Sequence, residues 1–182
     1  MQALLSLTFK KNTVPGKLPL EGVNEAAAVA KSILEIARKN GLPIMHVLHK
    51  VSDEAPIFNP SLPSYAVMAE VAPRAGEALV VKSLPNAFAN TNLDDLLKAT
   101  GRKEIIFVGM MTHTCVSATV RAALDLGYRS TVVADACATR PLPTVRGTKI
   151  EAFNVHEAAL AELADAFAIV VPNANAWLSA VR

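Results

Sequence analysis

The chain has little of several residue types, and each shortage narrows the class of protein it can be. Its 182 residues include only two cysteines, Cys115 and Cys137, which are too few for a disulfide framework or a cysteine-rich zinc site. Aromatic residues make up 5% and charged residues 19%, and the net charge is only +2. Because the basic residues are scattered and nearly balanced by acidic ones, the composition argues against nucleic acid as the partner.

Long hydrophobic runs are also missing. No apolar run approaches the ~20 residues that a helix needs to cross a bilayer, so a membrane partner is not expected. The first residues contain a short apolar run followed by Lys10 and Lys11, whereas a secretory signal carries its positive charges before the run. This order predicts a cytoplasmic protein.

Apolar residues, in contrast, are abundant. They make up 52% of the chain and the mean hydropathy is +0.32, which excludes a disordered protein. The length suits one domain with a sizeable core. Since no repeat, low-complexity segment or linker interrupts the pattern, residues 1–182 are predicted to form a single domain.

Strand-like and helix-like patterns alternate along the chain. The predicted strands are residues 3–9, 42–49, 78–82, 104–109, 130–134 and 168–171, and the predicted helices are residues 24–40, 93–99, 115–126, 149–166 and 174–181. Six strands separated by helices indicate an α/β fold in which a parallel sheet is covered on both faces, a three-layer α/β/α sandwich.

One long irregular segment, residues 50–76, is rich in proline and alanine. A segment of this length inside a compact domain is usually a lid or a binding loop. The alternative is a surface excursion that packs on a neighbouring subunit, and the sequence favours neither.

In open parallel sheets, ligands bind beyond the carboxyl ends of the strands. The residues that close the predicted strands are therefore candidates for a site: Thr8, His49, Lys82, the turn at residues 110–115, and Asp135. Asp135 either orients Lys82 or the next helix, or forms a turn with its own backbone, and the turn is the preferred interpretation.

Residues 109–128, GMMTHTCVSATVRAALDLGY, are the most informative stretch. They indicate a strand end, a tight turn, Cys115 and a helix. This places the thiol in the first turn of a helix, where unpaired amides and the helix dipole favour a thiolate, and a nearby Lys82 would favour it further. The turn amides could form an oxyanion hole. The alternatives are a buried, inert cysteine and a lysine at a solvated strand end.

The histidines do not predict a metal site. His46 and His49 lie three residues apart on a predicted strand and so point to opposite faces, which leaves His49 alone near the predicted pocket. His113, in the turn before Cys115, contacts substrate or caps the turn, and His156 is expected to be packed and hydrogen-bonded within its helix. Neither a metal nor a cofactor is predicted.

Residues 109–116, with Thr119, Arg121 and Ala122 behind them, resemble the nucleophile motif of the isochorismatase-like cysteine hydrolases. VVKSLPNAF at residues 80–88 resembles the lysine motif of that family, and residues 135–138 and 156–167 extend the resemblance over nearly the whole chain. The resemblance implies a six-stranded parallel sheet in the order 3-2-1-4-5-6. It also implies an Asp-Lys-Cys triad that attacks a carbonyl carbon of a small-molecule substrate.

By this resemblance, Lys82 and Cys115 are the expected catalytic residues. The peptide between Met110 and Met111 corresponds to a cis bond in the family, which turns the amides of Met111 and Cys115 towards an oxyanion. The expected substrate-binding residues are Phe9, His49, Phe88 and His113. A homo-oligomer is also expected, because members of the family are often dimers or larger.

The first motif departs from the family pattern, in which an aspartate, the general base, ends strand one. The same register here reads ALLSLTFKKN over residues 3–12, so Thr8 stands at the position of the base and Lys10 where a glutamine is common. A threonine hydroxyl cannot accept a proton as a base near neutral pH. In a second alignment, Met1 and Gln2 would follow the aspartate and strand one would be absent; the first is preferred because it keeps residues 3–9 as a strand.

The sequence therefore predicts a cysteine hydrolase that acts on a small amide or vinyl-ether substrate through Cys115, with Thr8 in place of the usual base. The alternative is a catalytically impaired pseudoenzyme or a small-molecule-binding protein with the same fold. A third interpretation is a role in assembly. The sequence does not identify the substrate.

Overall fold

A computed structural model describes residues 2–11 and 18–180. Its strands are β1 (Gln2–Leu7), β2 (Ile44–His49), β3 (Ala78–Lys82), β4 (Glu104–Met110), β5 (Arg129–Ala138), β6 (Leu142–Pro143), β7 (Lys149–Ile150) and β8 (Ile169–Val171). Its α-helices are α1 (Val23–Lys39), α2 (Leu93–Ala99), α3 (Ser117–Asp125), α4 (Ala152–Ala166) and α5 (Ala174–Ala180). Val181, the last residue of the predicted C-terminal helix, lies outside the described residues.

Six strands form one parallel sheet in the order β3-β2-β1-β4-β5-β8. This confirms the predicted parallel sheet and its strand order. Strand β1 lies in the centre and pairs with both β2 and β4, so the alignment that would remove the first strand is wrong. Strands β6 and β7 form a separate antiparallel hairpin that the sequence did not predict.

Two apolar clusters cover the two faces of the sheet. Side chains alternate along β1, so Leu4 joins the cluster beneath α1 and α5, whereas Leu5 joins the cluster beneath α2, α3 and α4. This arrangement confirms the three-layer sandwich. Among the helices that the structure describes, none has the length and apolar character needed to cross a bilayer.

Several element boundaries differ from the prediction. The helix predicted from residue 149 begins only at Ala152, because Lys149 and Ile150 pair with β6. Strand β5 continues to Ala138 and leaves Asp135 exposed within it, so the expectation of a turn-forming aspartate is wrong. The helix predicted from Cys115 begins as a π-helical turn, Thr112–Val116, which continues into α3.

The edge strand β3 is tied to its neighbours by a partly buried ion cluster around Glu77. Its carboxylate accepts hydrogen bonds from Arg38 Nε at 2.7 Å and from the Arg74 amide at 2.9 Å, and it lies 2.7 Å from His46 Nε2. Burial alone would raise the pKa of Glu77, but these hydrogen bonds outweigh burial and lower it to about 2. The cluster therefore links β2, α1 and the start of β3.

Glu77→Gln is expected to lower the free energy of unfolding by about 2 kcal/mol at pH 7, because hydrogen bonds to a charged group are lost. The folded-state pKa lies below the ordinary value of 4.5, so this contribution is present above pH 4.5 and is lost as the pH falls towards 2. Urea denaturation should show the difference from wild type narrowing over that range. Glu35→Gln, at a carboxylate that is 43% exposed, should cost much less; equal losses would contradict an anchoring role for Glu77.

Gly109 allows β4 to approach β1 closely where the two strands end. It pairs with Leu7, its φ is 144°, and a Cβ added there would lie 2.3 Å from Leu7 O and 2.6 Å from Leu7 Cβ. This contact brings the end of β1 next to the turn that carries Cys115. A side chain at position 109 would force the two strands apart.

Gly109→Ala is expected to lower the free energy of unfolding by about 4 kcal/mol, because it combines overpacking with backbone strain. Gly147→Ala is the matched control, since φ is 79° and no atom lies within 4 Å of the added Cβ, so only about 1 kcal/mol is expected. Chemical denaturation of both variants measures the difference. Similar losses would show that close packing against Leu7 is unimportant.

Candidate active site

A cavity of about 160 Å³ opens at the carboxyl ends of the central strands. Its lining residues are Thr8, His49, Phe58, Pro85, Met110, Met111, Thr114 and Cys115. The fold thus brings together Thr8, His49 and Cys115, which the sequence separates widely. Phe58 comes from residues 50–76 and packs edge-on against His49 with 4.9 Å between ring centroids, which supports the binding-loop interpretation of that segment.

Lys82 and Cys115 are in direct contact beside this cavity. Lys82 Nζ lies 3.1 Å from Cys115 Sγ, and the two residues are 1% and 8% exposed. Lys82 is therefore a buried lysine and not a solvated strand end. Burial lowers the pKa of Lys82, and the neighbouring Cys115 opposes that shift.

His49 also contacts the lysine, with Nδ1 3.0 Å from Lys82 Nζ. Burial and the charges of Lys82 and Lys10 lower the pKa of His49 to about 4, so the ring is neutral near pH 7. An ammonium group donates hydrogen bonds and accepts none. Nδ1 of His49 is therefore the acceptor, and the ring proton is on Nε2.

The backbone around Cys115 is held by the turn and by the lysine motif. The peptide bond between Met110 and Met111 is cis, and the Val116 amide donates to the Met111 carbonyl at 3.2 Å, closing the π-helical turn. Thr119 Oγ1 donates to the Cys115 carbonyl at 2.6 Å and accepts the Ala87 amide at 3.1 Å. Thr119 thus connects the cysteine turn to the segment that follows Lys82.

Thr8 lies just beyond the end of β1 and is 3% exposed. Its φ of 53° is in the left-handed region, which a β-branched residue rarely adopts. Among the described residues, Thr8 Oγ1 and Thr114 Oγ1 are buried without a hydrogen-bond partner, and no aspartate or glutamate lines the cavity. The site therefore carries unused hydroxyl groups and no carboxylate base in the part of the chain that the structure covers.

Lys10 connects the segment of residues 50–76 to the end of β1. Its backbone forms an antiparallel bridge with Val67, and its ammonium group lies 3.2 Å from the centroid of the Tyr65 ring. Burial lowers the pKa of Lys10 to about 8. Position 10 thus adds a second buried lysine close to the cavity.

Three of the expected substrate-binding residues do not line the cavity. Phe9 packs into the core beneath α1, Phe88 stacks on Tyr128 with 6.0 Å between ring centroids, and His113 hydrogen-bonds Thr139. Their positions do not support substrate contact, because each side chain contacts other residues of the protein outside the cavity. Phe58 and Pro85, which the sequence did not indicate, line the cavity instead.

The remaining histidines have separate partners. His156 Nδ1 lies 2.9 Å from Thr112 Oγ1, which confirms a packed, hydrogen-bonded histidine. His46 contacts Glu77, whereas His49 contacts Lys82. Within residues 2–11 and 18–180, no group of three or more His, Cys, Asp or Glu side chains is placed to hold a metal ion.

The chain is similar in sequence to known proteins. The model of the isochorismatase domain matches residues 2–175. The secreted isochorismatase effector Isc1 of Verticillium dahliae is 36% identical over 156 residues, which cover 86% of this chain and 80% of that protein. YddQ of Bacillus subtilis, an isochorismatase family protein, is 37% identical over 170 residues, covering 92% and 94% of the two chains.

The fold is also similar to that of solved structures. The structure of an isochorismatase from Pseudomonas putida superposes with a TM-score of 0.92 and 40% sequence identity, covering 96% of this chain and 89% of that one. The matches in sequence and in structure both extend over most of the chain. The chain therefore belongs to the isochorismatase family of hydrolases.

Proposed function

We propose that the protein is a cysteine hydrolase in which Cys115 attacks a carbonyl carbon of a small amide or a related substrate. The observation that carries this proposal is the contact of 3.1 Å between Lys82 Nζ and Cys115 Sγ beside a cavity. A neighbouring ammonium group favours the thiolate, which is the nucleophilic form of cysteine. A cysteine that served only to fill the core would not need a buried cation as its partner.

The cavity limits the size and character of the substrate. Its volume of about 160 Å³ is close to the ~150 Å³ of an engineered cavity that holds a benzene ring. Phe58, Pro85 and the two methionines supply apolar contacts, while the hydroxyls of Thr8 and Thr114 supply hydrogen-bonding groups. A ring-sized molecule with one polar carbonyl group fits this chemistry.

The oxyanion formed during attack would be bound by backbone amides of the cysteine turn. Met111 and Cys115 both line the cavity, and their amides belong to the turn that carries the nucleophile. Two amides directed at the oxyanion would stabilise the developing negative charge without further reorganisation. This assignment follows the family resemblance of residues 109–116.

Lys82 would move the protons that an aspartate moves elsewhere in the family. As the thiolate forms a bond to the carbonyl carbon, the Lys82 ammonium protonates the departing amine, and a thioester and a neutral Lys82 result. Neutral Lys82 then takes a proton from water, the hydroxide attacks the thioester, and the Cys115 thiolate leaves. Loss of a general base typically slows a reaction by about 10²–10⁴-fold, so turnover slower than in aspartate-bearing relatives is expected.

The test is to incubate the protein with ring-sized amides and carbamoyl compounds, and to quench the reaction for peptide mass spectrometry. We expect product together with an acyl adduct on the peptide that carries Cys115. Cys137 should stay unmodified, because burial raises its pKa to about 12. Turnover without an adduct on Cys115 would count against the covalent route.

A binding protein without catalysis is the second candidate, and Thr8 is the observation that favours it. No carboxylate lines the cavity in the described ranges, so the protein would bind a ligand and leave it intact. Thermal stabilisation by a compound of the panel, with neither product nor adduct, would support this reading over the first.

Assembly and cellular location stay predictions. The edge strand β3 exposes Leu79 and Val81 at 52% and 48% of their surface, which supports a homo-oligomer because such apolar edges are usually covered.

A further inference from the structure

Lys82 has three N–H groups and three acceptors around it. Its Nζ lies 3.1 Å from Cys115 Sγ, 3.0 Å from His49 Nδ1 and 2.8 Å from the Leu84 carbonyl oxygen. An ammonium group has no lone pair, so each of these contacts uses one of its protons. The Leu84 carbonyl and His49 together set the direction in which the third proton points, which is towards the sulfur.

The register of the sheet puts His49 in this position. His49 and Lys82 are paired residues at the ends of β2 and β3, so their side chains lie side by side on the same face. Phe58 packs against the imidazole, and the charges of Lys82 on β3 and of Lys10 beyond β1 both act on it. Among the cavity-lining residues that the structure describes, His49 and Cys115 are the two whose side chains lie within hydrogen-bond distance of Lys82 Nζ.

We infer that His49 is a positioning residue that takes the place of the missing carboxylate as the side-chain acceptor for Lys82. This inference rests on the proposed function, in which the Lys82–Cys115 pair performs the chemistry. It assigns to His49 the role of orienting the Lys82 ammonium group. It also explains how Lys82 stays in contact with Cys115 although position 8 is a threonine.

A neutral acceptor also suits the proton transfers proposed for Lys82. The imidazole of His49 is neutral near pH 7, because its pKa is lowered to about 4. It therefore orients the ammonium group without itself titrating near neutral pH. Lys82 is therefore held in place while it remains able to release a proton to the leaving group and to recover one from water.

The test is the rate at which iodoacetamide alkylates Cys115 across the pH range, which needs no knowledge of the substrate. His49→Leu leaves a buried N–H of Lys82 without an acceptor, so the ammonium and the thiolate are both less stable. The rate at pH 7 should fall about 10-fold, and its rise with pH should move to higher pH. His49→Asn offers an amide oxygen near the place of Nδ1 and should recover the rate to within about threefold.

Two controls separate this role from a merely structural one. His156→Asn changes a hydrogen-bonded histidine that contacts Thr112 and not Lys82, so the alkylation profile should not change. In a Lys82→Met background, replacing His49 should have no further effect, since His49 acts through the lysine. The comparison of Lys82→Met with the Lys82→Met/His49→Leu double variant decides the question even where His49→Leu alone folds poorly.

Three results would overturn the inference. The first is a wild-type alkylation profile in folded His49→Leu. The second is an equal loss of alkylation rate in His49→Leu and His49→Asn. The third is a loss of rate on replacing His49 that is just as large in the Lys82→Met background. Because the readout is alkylation, it is independent of hydrolysis. A protein that hydrolyses nothing but shows the expected profiles would contradict the proposed function and leave the role of His49 intact.

Discussion

Cys115→Ala is expected to lower kcat/KM for hydrolysis by at least about 10⁴-fold, because loss of a catalytic nucleophile removes the covalent route entirely. The sulfur lies at the cavity, 3.1 Å from Lys82 Nζ, and no second thiol lines the cavity among the residues described. Steady-state kinetics with the best compound of the panel measures the loss. The acyl adduct should disappear from the mass spectrum at the same time.

Cys137→Ala is the matched control for this prediction. Cys137 is also a free, buried cysteine, but it lies outside the cavity that holds Thr8 and Cys115. We expect its kcat/KM to stay within about twofold of wild type, because small core truncations alter stability more than chemistry. Substantial hydrolysis by Cys115→Ala, or an equal loss in both variants, would show that the nucleophile has been misassigned.

Thr8→Asp is expected to raise kcat/KM by about 10²–10⁴-fold, which is the usual contribution of a general base. Thr8 lines the same cavity as Cys115, and its hydroxyl is buried without a partner among the described residues. Lys82 contacts Cys115, which lines the same cavity, and Lys10 follows Thr8 by two residues in the chain. Nearby cations favour the charged form of a carboxylate. The backbone is already suitable, because aspartate tolerates a φ of 53° better than threonine does.

Thr8→Asn separates the base from the backbone effect. Asparagine relieves the same strain and has the size of aspartate, so it should raise the free energy of unfolding by about 1 kcal/mol without supplying a base. Its kcat/KM should therefore stay near the wild-type value, while the aspartate variant accelerates. An equal rise of kcat/KM in both variants would show that relief of backbone strain causes the gain. An unchanged kcat/KM in a folded Thr8→Asp would show that position 8 is not the site of the base.

Much of the fold could be predicted from local sequence. Apolar runs and helical spacings indicated the six sheet strands, because these patterns lie within single segments. The order of the strands came from the family resemblance. Prediction failed at residues 149–151, which were expected to begin a helix, because Lys149 and Ile150 pair with β6 as a short strand. That pairing is a contact between segments, and no local periodicity records it.

By itself, the sequence determined the family, because its motifs are recorded in residue types at characteristic spacings. The resemblance to that family then implied the sheet order and the candidates Cys115, Lys82 and Thr8. Only the tertiary structure decided which side chains meet. It brought Phe58 into the cavity from an irregular segment, directed Phe9 and Phe88 into the core, and placed His49 beside Lys82. The physical reason is that side-chain contacts depend on strand register and on packing between distant segments, and neither property can be read from the residues of one segment alone.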